Sequence, residues 1–276
     1  MPRLPTRLLL ALAVTFPAPA SAQRFLPENV PAFELPYAAP LASGFAGRII
    51  AVTRGDSRFG SGTEADVVLA EALPVVTLSG GRRPWALDFL VGTQARFSLS
   101  DPKSGLISND WTVGFTAHGP AHKKVELAVQ LYHESSHLGD EYSERFNVRR
   151  LDWTREIALG WVGIRMGQAR LRLAAGSAYA DQLDLPGGLA VVAIDYRGKD
   201  GFLGRSPGRL IAGVHMEFSE AVNWRSSTTA RVAIELGRDA RHRVALGLIA
   251  HDGLSTQRQF YRESSRYVGG EIRFDL

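Results

Sequence analysis

Residues 125–141 read Val-Glu-Leu-Ala-Val-Gln-Leu-Tyr-His-Glu-Ser-Ser-His-Leu-Gly-Asp-Glu and admit two incompatible chemistries. His133, Glu134 and His137 match the H-E-x-x-H pattern, in which two histidines one helical turn apart bind zinc and the glutamate serves as general base. That reading needs a helix. The preceding residues instead alternate, Val125, Leu127, Val129 and Leu131 against Glu126, Ala128, Gln130 and Tyr132, which is the period of a strand. A strand turns Glu134 away from both histidines, so the zinc metallopeptidase becomes the weakest reading. The same parity carries His133, Ser135 and His137 onto the apolar face.

The alternation recurs along the chain. Leu87, Phe89, Val91, Ala95, Phe97 and Leu99 alternate with Asp88, Gln94, Arg96 and Ser98, and Leu210, Ala212, Val214, Met216 and Phe218 with His215 and Glu217. Leu171 and Leu173 alternate with Arg170 and Arg172, and Val268, Ile272 and Phe274 with Glu271 and Arg273. Runs of this kind extend over about ten residues, the length a transmembrane β-strand requires and longer than is usual in a soluble sandwich. Candidate strands fall near 45–54, 64–78, 84–99, 106–117, 124–137, 146–166, 169–180, 188–197, 209–219, 227–236, 243–251 and 265–276. The expected fold is therefore all-β, an antiparallel transmembrane β-barrel of about 12 strands, an even number as closed bacterial barrels have. A soluble sandwich or closed periplasmic barrel is the alternative.

The N-terminus supports export. Arg3 and Arg7 precede an apolar run at 8–16 and an Ala20-Ser21-Ala22 site, the layout of a signal peptide over residues 1–22. Residues 23–44, with Pro27, Pro31, Pro36 and Pro40, read as an extended periplasmic lead-in along a surface, and 45–276 as the outer-membrane barrel. Removing Arg3 and Arg7 lowers the formal charge from +4 to +2, which marks no nucleic-acid surface. With no cysteine, stability must come from burial or from the membrane rather than from disulfides.

On the strand reading His133 and Ser135 face lipid. If Trp153, Ile157, Leu159 and Trp161 of the returning strand also face lipid, a tight turn near Glu141 sets Ser135 opposite Asn147. A histidine, a serine and an amide then meet on the outer wall, as catalytic groups or as interfacial polar residues. Beyond them, His137, Asp140 and Glu141 around Gly139 are candidate ligands for a calcium ion, or a solvated acidic turn. Arg145, Arg149, Arg150 and Arg155 are candidates for pairing with outer-leaflet phosphates, or for rimming the barrel.

His133-x-Ser135, with Asn147 twelve residues beyond the serine, resembles the arrangement of outer membrane phospholipase A and is similar in spacing to that of the outer-membrane lipid A deacylases. That resemblance implies Ser135 as nucleophile, His133 as base and Asn147 as the group orienting the imidazole. A broader resemblance, to the bacterial family called domain of unknown function 1207, rests on 132–142, 106–114, 195–198, 212–215 with Asn223-Trp224, and 259–261. It implies an exported, barrel-forming protein and brings no reaction, substrate or cofactor.

Two classes of function follow. A lipid-facing serine hydrolase needs an acyl-ester partner among outer-membrane lipids or lipopolysaccharide, and an intact His133 and Ser135. A non-enzymatic barrel for a small solute, or for envelope structure, needs a lumen open between Arg96, Glu126, Gln130, Arg170, Arg172, His215 and Glu217. Monomer and dimer are both compatible with the sequence.

Overall fold

The computed structural model describes residues 24–275 apart from 29, 80–82, 202–207 and 238–242, so the expected signal peptide lies outside the described residues. The strands are β1 (Gly44–Arg54), β2 (Gly62–Thr77), β3 (Ala86–Ser98), β4 (Leu106–His122), β5 (Val125–Leu138), β6 (Trp153–Met166), β7 (Ala169–Asp181), β8 (Gly188–Arg197), β9 (Gly208–Ser219), β10 (Arg225–Leu236), β11 (Arg243–Leu254) and β12 (Ser264–Asp275), with helix α1 (Asp140–Phe146) between β5 and β6. Each strand pairs antiparallel with its sequence neighbours, and β12 returns to β1, closing a twelve-stranded barrel. Closure leaves no strand edge unpaired, the condition for a sheet to sit in hydrocarbon.

Side chains divide as the alternation requires. Phe89, Phe115, Val129, Leu131, Leu173, Val192, Val214, Leu248 and Val268 point outward, and all but the half-buried Phe89 stand exposed on the wall. Arg48, Asp66, Asp88, Arg96, Gln130, Arg172, His215, Arg231, Glu271 and Arg273 point inward and are buried. Burying charge is costly unless it is paired, and here the partners are one another. Arg48 meets Glu271 at 2.6 Å and Asp66 at 3.1 Å, while Arg96 lies 3.5–3.8 Å from Asp66, Asp56 and Glu64.

The lead-in does not lie along a surface. Residues 33–43 thread into the end of the lumen from which β1 starts, and Phe33, Ala38, Ala39 and Ala42 are buried there. Prolines leave this segment without ladder partners, so charged side chains of the inner wall take up its backbone groups. Asp88 accepts from the Phe33 N–H at 2.6 Å and Asp195 from the Tyr37 N–H at 2.9 Å; Arg231 donates to the Tyr37 carbonyl at 2.9 Å, and Arg273 to the Ala42 and Ser43 carbonyls at 3.1 and 2.8 Å.

This plug explains a departure from the expected register. On β6, Trp153, Ile157, Leu159 and Trp161 face the lumen, not lipid, whereas Thr154, Glu156, Ala158, Gly160 and Val162 face outward. Ile157, Leu159 and Trp161 form an inner apolar cluster with Ala174, Leu189 and Val191 around Phe33, whose ring packs edge-on against Trp161 at 5.8 Å. The apolar inner side of β6 is thus the seat of the plug. Arg155 likewise points inward, to Asp181 at 2.6 Å, rather than to lipid phosphates.

The opposite end is closed by loops. Ile107, Leu138, Tyr142 and Phe260 form a small core with Phe59, Phe146 and Val148, joining the β1–β2, β5–β6 and β11–β12 connections over the mouth. Inside this cap, a cavity of about 40 Å³ among Glu134, Arg155, Glu217 and Arg258 has room for little more than water. Among the described residues, plug and cap thus enter the lumen from its two ends.

The β6 register is open to a direct test. In single-tryptophan variants reconstituted with brominated lipids, Trp111, which stands on the outer wall, should be quenched and Trp161 protected. Strong quenching of Trp161 would mean that β6 is turned by one residue.

Candidate active site on the outer wall

The 133–137 segment is strand, so the helical zinc pair does not form. Glu134 points into the barrel, where Oε1 accepts from the Trp153 indole at 2.9 Å and Oε2 from the Arg258 guanidinium at 3.0 Å. His133, Ser135 and His137 lie on the outer face, as the alternation predicts.

The connection after β5 is longer than a tight turn. Gly139 precedes α1, at a point where a Cβ would meet the Leu106 carbonyl oxygen at 1.9 Å, so no other residue fits. Asp140 and Glu141 occupy the first turn of α1, where negative charge is favourable, and both are exposed. Asn147 ends the helix in the left-handed conformation (φ 49°, ψ 50°), a position asparagine tolerates well, and its N–H bonds to the Ser143 carbonyl. This helix shifts the register of the hairpin. Ser135 stands opposite Thr154, and His133 opposite Glu156; Asn147 is not brought to either.

His133 Nδ1 and Glu156 Oε1 lie 2.7 Å apart, with both side chains about one-third exposed on the wall (34% and 38%). The bond follows from the direct cross-strand pairing of the two residues. It leaves His133 Nε2 without a partner, and Ser135 Oγ makes no hydrogen bond among the described residues. Trp111 flanks Ser135 and Val113 flanks His133 on β4. On that side Asn109 bonds to Thr93 at 2.6 Å and lies opposite His137. Among the described residues no three His, Asp or Glu side chains form a group that could hold a metal ion, and His137, Asp140 and Glu141 are not drawn into one.

Counting from Val125, His133 lies about 20 Å along the barrel axis for a rise of about 3.4 Å per residue and a tilt near 45°. This is close to the outer edge of an apolar band about 25 Å tall. There a charged group costs roughly 0–1 kcal/mol, against 2–4 at the midplane, so the barrel bears a histidine–carboxylate pair on its wall at little expense.

Behind the wall, the strand segment carrying His133 and Ser135 is fastened from the lumen. Arg258, in the β11–β12 loop, binds Glu134 and makes two contacts to Glu217 at 2.7 and 3.3 Å, while its N–H donates to Asp110, the carboxylate that bonds Ser136. Gln259 Nε2 donates to the Ser136 and Leu151 carbonyls at 2.9 and 3.0 Å. Burial alone would lower the Arg258 pKa, but Glu134 and Glu217 more than reverse this and hold the guanidinium charged, well above the usual arginine value.

With this geometry in place, the sequence family can be stated. The chain belongs to the family described as protein of unknown function, DUF1207, which matches residues 63–276. Outer membrane phospholipase A from Escherichia coli has a similar structure, with TM-score 0.60 at 11% identity over 87% of this chain and 94% of that chain. The KdgM porin gives a TM-score of 0.44 at 10% identity over 83% and 98%, and the β domain of the Bordetella autotransporter Brka gives 0.40 at 11% identity over 84% and 99%. What is shared with the phospholipase is the fold, a barrel of the outer-membrane type. The sequence matches no curated protein.

Glu156 was not singled out by the sequence pattern, although a signal for it exists. Val162 and Ile164, both apolar, share its parity with only small residues between, which marks an outward face as well as the Trp-rich row does.

Removing the Arg258 guanidinium leaves the buried Glu134 and the part-buried Glu217 without their cation, a loss of at most about 3–5 kcal/mol. Arg258→Met should therefore lower the urea midpoint of the detergent-folded protein clearly, and an unchanged midpoint would contradict this role.

Proposed function

We propose that the barrel resides in the outer membrane and hydrolyses an acyl ester of an outer-leaflet lipid, phospholipid or lipid A. Ser135 is the nucleophile, His133 the general base and Glu156 the group that orients the imidazole. The observation that carries the reading is the 2.7 Å His133–Glu156 contact on the lipid-facing wall, with Ser135 two residues along the same face. The pair is bonded on the outer wall with the serine beside it, at the depth where lipid ester groups lie, and all three groups are then within reach of an acyl ester. The fold shared with outer membrane phospholipase A, whose name states its activity, supports the same reaction class.

Glu156 accepts a hydrogen bond from the Nδ1–H, which fixes the tautomer with Nε2 free to act as base. As Ser135 Oγ attacks the ester carbonyl, Nε2 takes the hydroxyl proton and then delivers it to the departing alkoxide of the lipid. Water enters by the reverse proton route, frees the fatty acid and restores the serine. The substrate arrives from the membrane, and its acyl chain runs down the wall past Leu131 and Val129. Trp111, beside Ser135, suits the interface where the ester bonds lie.

An open-channel role has less support, because among the described residues plug and cap loops occupy the two ends of the lumen.

The test is fatty-acid release from phosphatidylethanolamine and from lipopolysaccharide by detergent-folded protein. Ser135→Ala and His133→Ala should abolish release, and Glu156→Gln should slow it on the order of 10²-fold or more, as loss of an orienting carboxylate does. Asn147→Ala should retain activity, because Asn147 serves the helix end. Loss of activity in Asn147→Ala with retention in Glu156→Gln would exchange their roles, and no release from either lipid would refute the hydrolase.

A further inference from the structure

A second feature lies on the closed mouth, away from the wall. The β1–β2, β5–β6 and β11–β12 loops bound a groove of about 530 Å³, lined by Arg58, Arg149, Arg262, Tyr142, Tyr261 and Glu263 among others. Arg58, Arg149 and Arg262 are exposed, and among the described residues none is ion-paired to a carboxylate. This sets them apart from Arg145 of the same cap, which is neutralised by Asp101 at 2.7 Å. Asp56, the other acid of the groove, is buried and turned inward, where its oxygens accept from Ser255 and Gln257.

The groove is also pre-formed. Arg58 is held at its guanidinium by the Phe146 carbonyl (2.8 Å) and at its N–H by the Tyr142 hydroxyl (2.7 Å). Arg262 stacks over the Tyr261 ring at 5.1 Å, and the floor is the packed Tyr142–Phe260 contact. Three guanidinium groups against one exposed carboxylate in a concave site of this size favour a compact dianion, and the part-exposed Tyr261 ring offers an apolar surface to a sugar.

We infer that this groove is a binding site for a phosphorylated sugar, the phosphate held by Arg58, Arg149 and Arg262 and the ring against Tyr261. The same chemistry is offered by a soluble sugar phosphate and by the phosphorylated head of a lipopolysaccharide. The site stands independently of the hydrolase reading, since it shares no residue with His133, Ser135 or Glu156.

Binding is measured by titration calorimetry on the detergent-folded full chain, with glucosamine 1-phosphate, glucosamine, inorganic phosphate and lipopolysaccharide micelles as probes. Glucosamine 1-phosphate or the micelles should bind, and Arg58→Gln/Arg149→Gln should weaken that binding tenfold or more. Arg54→Gln/Arg165→Gln, with the same change in net charge, should leave it unaltered. Binding of the soluble probe assigns a site open to solvent, and binding of the micelles alone assigns the lipid-borne head; both uphold the inference. It is overturned if neither binds, if inorganic phosphate or glucosamine binds as tightly, or if both double variants behave alike.

Discussion

In hydrocarbon a backbone N–H or C=O has no water to turn to, and each one left unpaired costs several kcal/mol. This constraint orders the rest of the structure. It forces twelve strands to close through the β1–β12 pairing, and closure fixes which residues face lipid and which face the lumen. Charges sent inward by that alternation compensate one another, as Arg48 does between Asp66 and Glu271. Part of the remaining hydrogen-bonding capacity goes to the backbone of residues 33–43, which a proline-rich segment cannot satisfy by itself. Plug and inner charges are thus mutual solutions to one problem.

The same logic isolates the outer-wall site. Nearly every other ionisable side chain of β3 to β6 at membrane depth points inward, whereas His133 and Glu156 meet on the lipid face. The inner face of that hairpin is fastened by Arg258 and Gln259 of the mouth loop, so the cap and the wall share a support. Glu134, the residue that completes the zinc-protease pattern on paper, is one of its anchors. Its place between His133 and Ser135 ties the backbone of the candidate pair to the lumen without touching their side chains.

Much of this was legible in the sequence. Period-two alternation gave the barrel, the number of strands, the outward parity of His133 and Ser135, and the inward parity of Arg96, Arg172, His215 and Glu217, because each of those strands is apolar on one face only. β6 was misread because it is apolar on both faces; nothing local distinguishes a row that packs on Phe33 from one that packs on lipid. The hairpin register failed for a related reason. Spacing from Ser135 to Asn147 assumes a tight turn, and the seven-residue helix α1 moves the partner of His133 to Glu156. The plug was missed because its contacts are long-range, Phe33 with Trp161 and Tyr37 with Asp195, and no periodicity records them.

The central claim is that Ser135 is an activated nucleophile on the lipid-facing wall, and covalent labelling reads this most directly. Detergent-folded protein treated with a fluorophosphonate and digested for peptide mass spectrometry should carry one adduct, on Ser135, and the His133→Ala variant should carry none. Absence of an adduct on Ser135 in the unaltered protein, or equal labelling with and without the histidine, would contradict the account.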